Sequence, residues 1–273
     1  MLDIFFSAPG TKEPCGLFTV PHIVSLIACI VLICVALYVS RGISKKTIRI
    51  ITLVMAIVFT IMEIIKITYK FINNDTAQLD HWFPLAFCSL FIYVLWMCAL
   101  GKGFIYNLGA SFICGGCFVG GSAFLIMPLT SLMAHPIYHF LSIHSMLFHS
   151  CMIYLACLYI MNKEFNVLDL KNYKYYGFFV GGTCLVSIIL NVVSHFVPNA
   201  LTANIMLLRH LPLPESFPLD WLYDLVGKIE APFSFYTICA TLVYLVVPYF
   251  TVYAIVRVVK FVKAKRTLEA VSE

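Results

Sequence analysis

"HWFPLAFCSLFIYVLWMCAL", residues His81 to Leu100, decides the class of fold. From Phe83 to Leu100 it runs eighteen residues without a charge, close to the ~20 apolar residues a helix needs to cross a bilayer's hydrocarbon. It also carries a thiol, Cys88, a few residues into the apolar stretch. The rest of the chain has the same character. Of its 273 residues 62% are hydrophobic and 11% charged, whereas a soluble domain is about half apolar and a quarter charged. This composition specifies an integral membrane protein. The length suits a single domain, 1–273, of six to eight spans.

Seven apolar stretches can be marked: Thr19–Ser40, Thr47–Ile72, Phe83–Leu100, Phe104–Met127, Ile137–Met161, Tyr175–Phe196 and Phe235–Val259. Helices are expected for all seven, because lipid offers backbone groups no other partner and no stretch shows the alternation of a barrel. "MLDIFFSAPGTKEPCG" has an early acid and no long apolar run, so it reads as mature chain rather than a secretory signal.

Basic residues set the expected orientation. Arg41, Lys45, Lys46, Arg49, Lys102, Lys163, Lys171, Lys174, Arg257, Lys260, Lys263, Lys265 and Arg266 fall on one side, thirteen of the eighteen Lys and Arg. Asp75, Asp80, Glu215, Asp220, Asp224 and Glu230 fall on the other. The N-terminus is therefore expected outside and the C-terminus in the cytoplasm of a multi-pass protein of the cell (plasma) membrane. The tail "RVVKFVKAKR" is expected to sit on anionic lipid, and the net charge of +5 is a topology signal rather than a sign of nucleic-acid binding.

Ten of the eleven cysteines lie within apolar stretches, so no disulfide framework is implied. "CGGC" at Cys114–Cys117 has redox spacing, but Gly116 and Gly120 read better as a small-residue packing face, as do Gly177 and Gly181. "NNDTAQLDHW" is a short outer loop. Residues 197–233 form a long outer connection interrupted by five prolines. Its "WLYDLVGKI" suits a helix lying in the interface, and its length marks it as a candidate lid.

Polar residues inside spans are costly in lipid. Here they gather in the outer half: His22, Glu63, Cys88, His139, His144, His149, Asn191 and His195. Several have bland readings. Glu63 lies three residues before Lys66 and suits an ion pair; His22 suits an interfacial anchor. His135, His139, Ser142, Ser145 and His149 share one helical face, while His144 points away from it; Ser187, Asn191 and Ser194 form a second stripe. His135 and His139 are spaced like zinc ligands, but Pro136 between them at the helix start argues against a metal site. No cofactor is expected.

Several segments in order carry a family resemblance: "GLFTVPHIVSLI", "HWFPLAFCSLFIYVL", "LIMPL", "LSIHSMLFHSCMIYLACLYI" and "NVVSHFVPNALTANIMLL". Over about residues 15–255 the chain resembles YwaF-like bacterial membrane proteins, which are similar to animal transmembrane protein 164, an acyltransferase that remodels ether phospholipids. The family's Pro-Leu-His-Leu-Cys pattern reads Pro84, Leu85, Ala86, Phe87, Cys88 here; the cysteine is kept and the histidine is replaced. The resemblance also carries a span-five histidine onto His149, ahead of Leu158 and Tyr159, and two asparagines onto Asn191 and Asn204.

What the resemblance implies is a lipid-modifying enzyme, performing acyl transfer or acyl-ester hydrolysis on a membrane phospholipid or acyl lipid. Cys88 would be the nucleophile and His149 or His144 its base. Asn191 or Asn204 would stabilise an oxyanion, and His139, His22, Glu63 and His195 would line the substrate site. Counted along ideal helices, Cys88 lies about 8 Å below the outer boundary and His149 about 18 Å. His144 and His139 match the cysteine better, and a re-entrant start to span five would close the gap. The alternative is a transporter or receptor-like binder using the same outer cavity for a small solute or ion, which would also need a polar path through the inner half.

The charge distribution makes a direct prediction. A reporter fused after Glu273 should be cytoplasmic and one inserted within 199–230 should be external; a cytoplasmic signal from the insertion would overturn the expected orientation.

Overall fold

A computed structural model describes residues 5–8, 10–73, 83–196, 203–209 and 235–272. The helices are α1 (Val20–Val39), α2 (Lys45–Ile72), α3 (Leu90–Leu100), α4 (Gly103–Ile126), α5 (Phe140–Met161), α6 (Tyr173–Phe196) and α7 (Phe235–Ser272). Short 3-10 turns occupy Leu170–Asn172 and Ile205–Leu207, and no strand occurs among the described residues. The loop at 74–82 and most of 197–233, "WLYDLVGKI" included, lie outside the described residues.

Six of the helices are long and apolar enough to cross a membrane; α3, with 11 residues, is not. Seven spans are expected from the sequence, the third the shortest, and the difference lies in the lead-in to α3. Phe83–Ser89 form a bend and a turn, not helix. Pro84 supplies no N–H and disfavours helix in the residue before it. Eleven residues rise about 16 Å, half the ~30 Å hydrocarbon core, so α3 starts deep in the bundle.

The chain runs antiparallel from α2 into α3. Near the start of α2, the Arg49 guanidinium donates to the carbonyls of Cys98 and Gly101 at the end of α3. Further along α2, Trp96 Nε1 donates to Thr60 Oγ1 at 3.0 Å. The end of α5 joins the same end of the bundle. Glu164, just past it, accepts from Tyr106 Oη of α4 at 2.9 Å and lies 3.9 Å from Lys45 Nζ. The basic residues at the start of α2 therefore stand beside the α3–α4 link and the end of α5, as the charge pattern implies.

Helices α4 and α5 are central. In their most apolar stretches 67% and 61% of residues are buried within the protein, against 11% for α1, whose valines and isoleucines other than Ile33 face outward. Glycine sets the α4–α5 distance: a Cβ on Gly121 would stand 2.7 Å from the His149 carbonyl oxygen. Just before it, Ile113–Cys117 winds as a π-helical turn, and a Cβ on Gly115 would meet the Tyr249 ring at 2.5 Å. "CGGC" is thus a packing element with both thiols free and buried. Gly116 and Gly120 do form the expected small face, against Phe87. Gly177 and Gly181 do not: Gly177 has no neighbour within 4 Å and Gly181 only Leu245, at 3.7 Å. Among the described residues, α7 reaches that side of α6 only through the Leu245 side chain.

Helix α7 contains Pro248. A proline inside a helix leaves the carbonyl four residues earlier without its donor, and in lipid that group needs another. It finds one on α6: Tyr176 Oη donates to the Tyr244 carbonyl at 2.8 Å, and one turn earlier Tyr173 Oη donates to Leu245 at 3.1 Å. Tyr176 is fully buried. Tyr176→Phe should therefore strand the Tyr244 carbonyl and cost about 1–3 kcal/mol. In detergent this reads as a lower unfolding temperature, while Tyr175→Phe, on a half-buried neighbour, should leave it unchanged. Equal unfolding temperatures for Tyr176→Phe and wild type would refute the account.

Candidate functional site

Cys88 sits in the turn that leads into α3. Its thiol donates to the carbonyl of Gly120 on α4 at 3.8 Å, and a Cβ on Gly120 would lie 3.4 Å from both the thiol sulfur and Met152 of α5. Cys88 is twelve residues before Leu100 and His149 twelve before Met161, both counted to the same end of the bundle. At 1.5 Å per residue each is about 18 Å from that end. Counted from this end the two residues stand level, and adjacent α4 glycines meet both: Gly120 lies against the Cys88 sulfur and Gly121 against the His149 carbonyl.

The described histidines divide by what their ring nitrogens do. In His22, Nδ1 accepts from the Phe18 N–H at 3.0 Å, so the proton is on Nε2, which donates to the Leu125 carbonyl at 3.1 Å. This brackets α1 to the end of α4. In His139, the N-cap of α5, Nδ1 accepts from the Leu141 N–H and Nε2 donates to the Ser7 carbonyl, both at 3.2 Å. That carbonyl also accepts from Tyr69 Oη at 2.6 Å, which ties the N-terminal segment to α2 and α5.

His149 has the opposite tautomer. Its Nδ1 is 2.7 Å from the Ser145 carbonyl. A carbonyl only accepts, so the proton is on Nδ1 and Nε2 presents a lone pair. That Nε2 is buried without a hydrogen-bond partner, and His149 is 6% exposed. The ring stacks on Phe124 of α4 at 3.6 Å, with 5° between planes. Phe124 is one turn along α4 from Gly120, where Cys88 rests. His144 Nε2 is also buried and unpartnered, but its ring lies between Phe140 and Phe148. Phe148 packs on Phe59 of α2 and Phe91 of α3. His144 therefore faces α2 and α3, and His149 faces α4 and the cysteine's side.

The hydroxyls of Ser142 and Ser187, from the two polar stripes, are buried without partners as well. Four described atoms on α5 and α6 thus hold unspent hydrogen-bonding capacity: Ser142 Oγ, His144 Nε2, His149 Nε2 and Ser187 Oγ. Buried polar atoms are normally paired.

Glu63 is buried and paired with Lys66 at 2.5 Å, as its spacing predicts. Asn191 is committed to the backbone of Ile205: its Oδ1 accepts from the N–H at 2.8 Å and its Nδ2 donates to the carbonyl at 3.2 Å. Asn204 Oδ1 accepts from the Arg209 N–H at 3.0 Å, and Arg209 Nη2 donates to His195 Nδ1 at 3.2 Å. These three residues hold the stretch 203–209 against α6 and do not meet Cys88.

That stretch reaches the cysteine by another route. Ala203, Ile205, Met206 and Leu208 are buried, and Met206 and Leu207 have φ of 56° and 54°, a strained region for such side chains. Their carbonyls accept from Tyr244 at 2.9 Å and Tyr236 at 2.8 Å. The Tyr244 ring stacks on Phe87, centroids 4.9 Å apart, next to Cys88. Sequence reasoning missed Phe87, Phe124 and Tyr244. Only the pairing of Pro248 with tyrosines on α6 hints at Tyr244, and nothing in the sequence singles out the other two among 23 phenylalanines.

Among the described residues no three His, Cys, Asp or Glu side chains gather as a metal site. The satisfied and unsatisfied histidines should separate experimentally. His22→Ala and His139→Ala each strand backbone groups and should reduce folded yield. His149→Gln, a polar replacement for a ring whose Nε2 has no partner, should keep it. Equal loss of yield in all three variants would count against a distinct role for His149.

No curated protein and no solved structure matches this chain. The family model described as the TMEM164 family matches residues 17–252, spanning the chain from just before α1 into α7, so this membrane protein belongs to the TMEM164 family.

Proposed function

We propose that the chain is a membrane-embedded lipid acyl-transfer or acyl-ester hydrolysing enzyme, with Cys88 as nucleophile and His149 as general base. The observation that carries the reading is the His149 Nε2 lone pair, buried and unpartnered, on an imidazole whose tautomer the Ser145 carbonyl fixes. Family membership and the shared depth of the two residues support it.

A base has to be unprotonated, oriented and within reach of the proton it removes. His149 meets the first two conditions. The third asks the thiol to leave the Gly120 carbonyl and swing toward Phe124, about one turn along α4. In the forward step His149 Nε2 takes the Sγ proton while the thiolate attacks the ester carbonyl of a phospholipid. The ester C–O bond breaks, the lysolipid oxygen leaves with the proton from His149, and a thioester remains on Cys88. A hydroxyl of a second lipid, or water, then gives its proton to His149 and attacks the thioester, and the thiol regains its proton. The buried hydroxyls of Ser142 and Ser187 are the candidate donors to the substrate's oxygens; the Asn191 amide is already taken up by the backbone of Ile205. The orientation is N-terminus outside, in the plasma membrane.

A transporter reading is weaker. Between His149 and the basic end, α5 presents Leu155, Leu158 and Tyr159, all fully buried. The polar atom there, Tyr159 Oη, is taken up by Thr52 Oγ1 at 3.0 Å.

The test is lipid profiling of a deletion strain complemented with each variant, together with labelling by an acyl-mimicking electrophile. Cys88→Ser should abolish turnover. His149→Gln should lower it by about 10²–10⁴-fold and slow labelling of Cys88, while His144→Gln should leave both within about threefold of wild type. Unchanged lipids with Cys88→Ser, or a Cys88 no more reactive than Cys98, would defeat the proposal.

A further inference from the structure

At the basic end of the bundle, remote from Cys88 and His149, lies a cleft of about 420 Å³ lined by Lys45, Lys46, Arg49, Ile50, Leu53 and Ala99. Three of its six lining residues are cations, all from the first two turns of α2. The other three are apolar, and Ile50 is half exposed on the outer face of the helix. The cleft is amphipathic: cationic at its mouth and greasy along the wall that continues toward lipid.

One cation is held in place. Arg49 Nε donates to the Cys98 carbonyl at 3.4 Å and Nη2 donates to the Gly101 carbonyl, with the guanidinium 5.8 Å from the centre of the Tyr106 ring. Its remaining N–H groups have a fixed direction, so little side-chain entropy is lost when an anion binds. Among the described residues, the ion pair made by these cations is Lys45 with Glu164, at 3.9 Å. Glu164 already accepts from Tyr106, and Lys45 is 79% exposed. Three positive charges stand against one carboxylate, leaving a surplus of two.

We propose that this cleft is a binding site for one anionic phospholipid of the leaflet at the basic end. The lipid phosphate lies among Lys45, Lys46 and Arg49, and its glycerol-ester region packs on Ile50, Leu53 and Ala99. A zwitterionic lipid brings its own ammonium and gains less from the surplus. Inorganic phosphate cannot use the apolar wall. The site differs from diffuse attraction of anionic lipid by the C-terminal lysines, because it has a fixed guanidinium and a defined apolar side. It is independent of the proposed chemistry at Cys88 and stands or falls separately.

The test is native mass spectrometry of the full chain released from detergent, titrated with phosphatidylglycerol, phosphatidylcholine or inorganic phosphate. Wild type should retain one phosphatidylglycerol in preference to phosphatidylcholine. Lys45→Gln/Lys46→Gln removes two exposed charges and leaves Arg49 in its structural role; it should weaken that binding about 30-fold. Ala99→Leu fills the cleft without changing charge and should weaken it too. The tail variant Lys260→Gln/Lys263→Gln/Lys265→Gln should retain the lipid. The proposal is overturned if the double lysine variant binds as wild type does, if the tail variant loses the lipid equally, if phosphatidylcholine binds as well, or if millimolar phosphate displaces the lipid.

Discussion

In hydrocarbon a backbone N–H or C=O without a partner costs several kcal/mol, and the bundle is arranged around the places where its helices fail to supply one. The freed carbonyl before Pro248 is met by Tyr176. The backbone of Ile205 is met on both sides by the Asn191 amide, and the carbonyls of Met206 and Leu207 by Tyr244 and Tyr236. The end of α3 is met by Arg49. Each repair is a side chain from another helix, so the irregular backbone also fastens the bundle together. Tyr244 shows the economy of the arrangement: its carbonyl is repaired by α6, its hydroxyl repairs the 203–209 stretch, and its ring stacks on Phe87 beside the cysteine.

Against that background the unrepaired atoms stand out. Where His22 and His139 use both ring nitrogens to bind backbone, His149 uses one and leaves the other bare in the protein interior. The proposed role of His149 as a base rests on that bare nitrogen.

Much of this was legible in the sequence. Composition and apolar stretches give the helical membrane class, and the spacing of Glu63 and Lys66 gives their ion pair. The order of short motifs gives the family. The failures have a common cause. Linear depth along a helix assumes that helix begins where the apolar residues begin, and Phe83–Ser89 breaks the assumption. Polar residues within a span look equally available from the sequence, and only their partners show that Asn191 is committed and His149 is not. Gly177 and Gly181 have the same spacing as Gly116 and Gly120 but lack their tight contacts, with only Leu245 near Gly181; spacing specifies a face, and the neighbour is supplied by topology.

The shortness of α3 reaches back into how the protein is made. An apolar helix of eleven residues is below the length that a membrane-insertion machine accepts as a span on its own. Only Gly101 and Lys102 separate it from α4, and Gly109 of α4 sits against Cys98 and Met97 of α3. The two helices form a hairpin that enters lipid most readily as one piece, α3 waiting at the membrane surface until α4 has been synthesised. The position of Cys88 is thus set late, by a neighbour that follows it in the chain, and a lesion in the α4 glycines would appear first as failed integration.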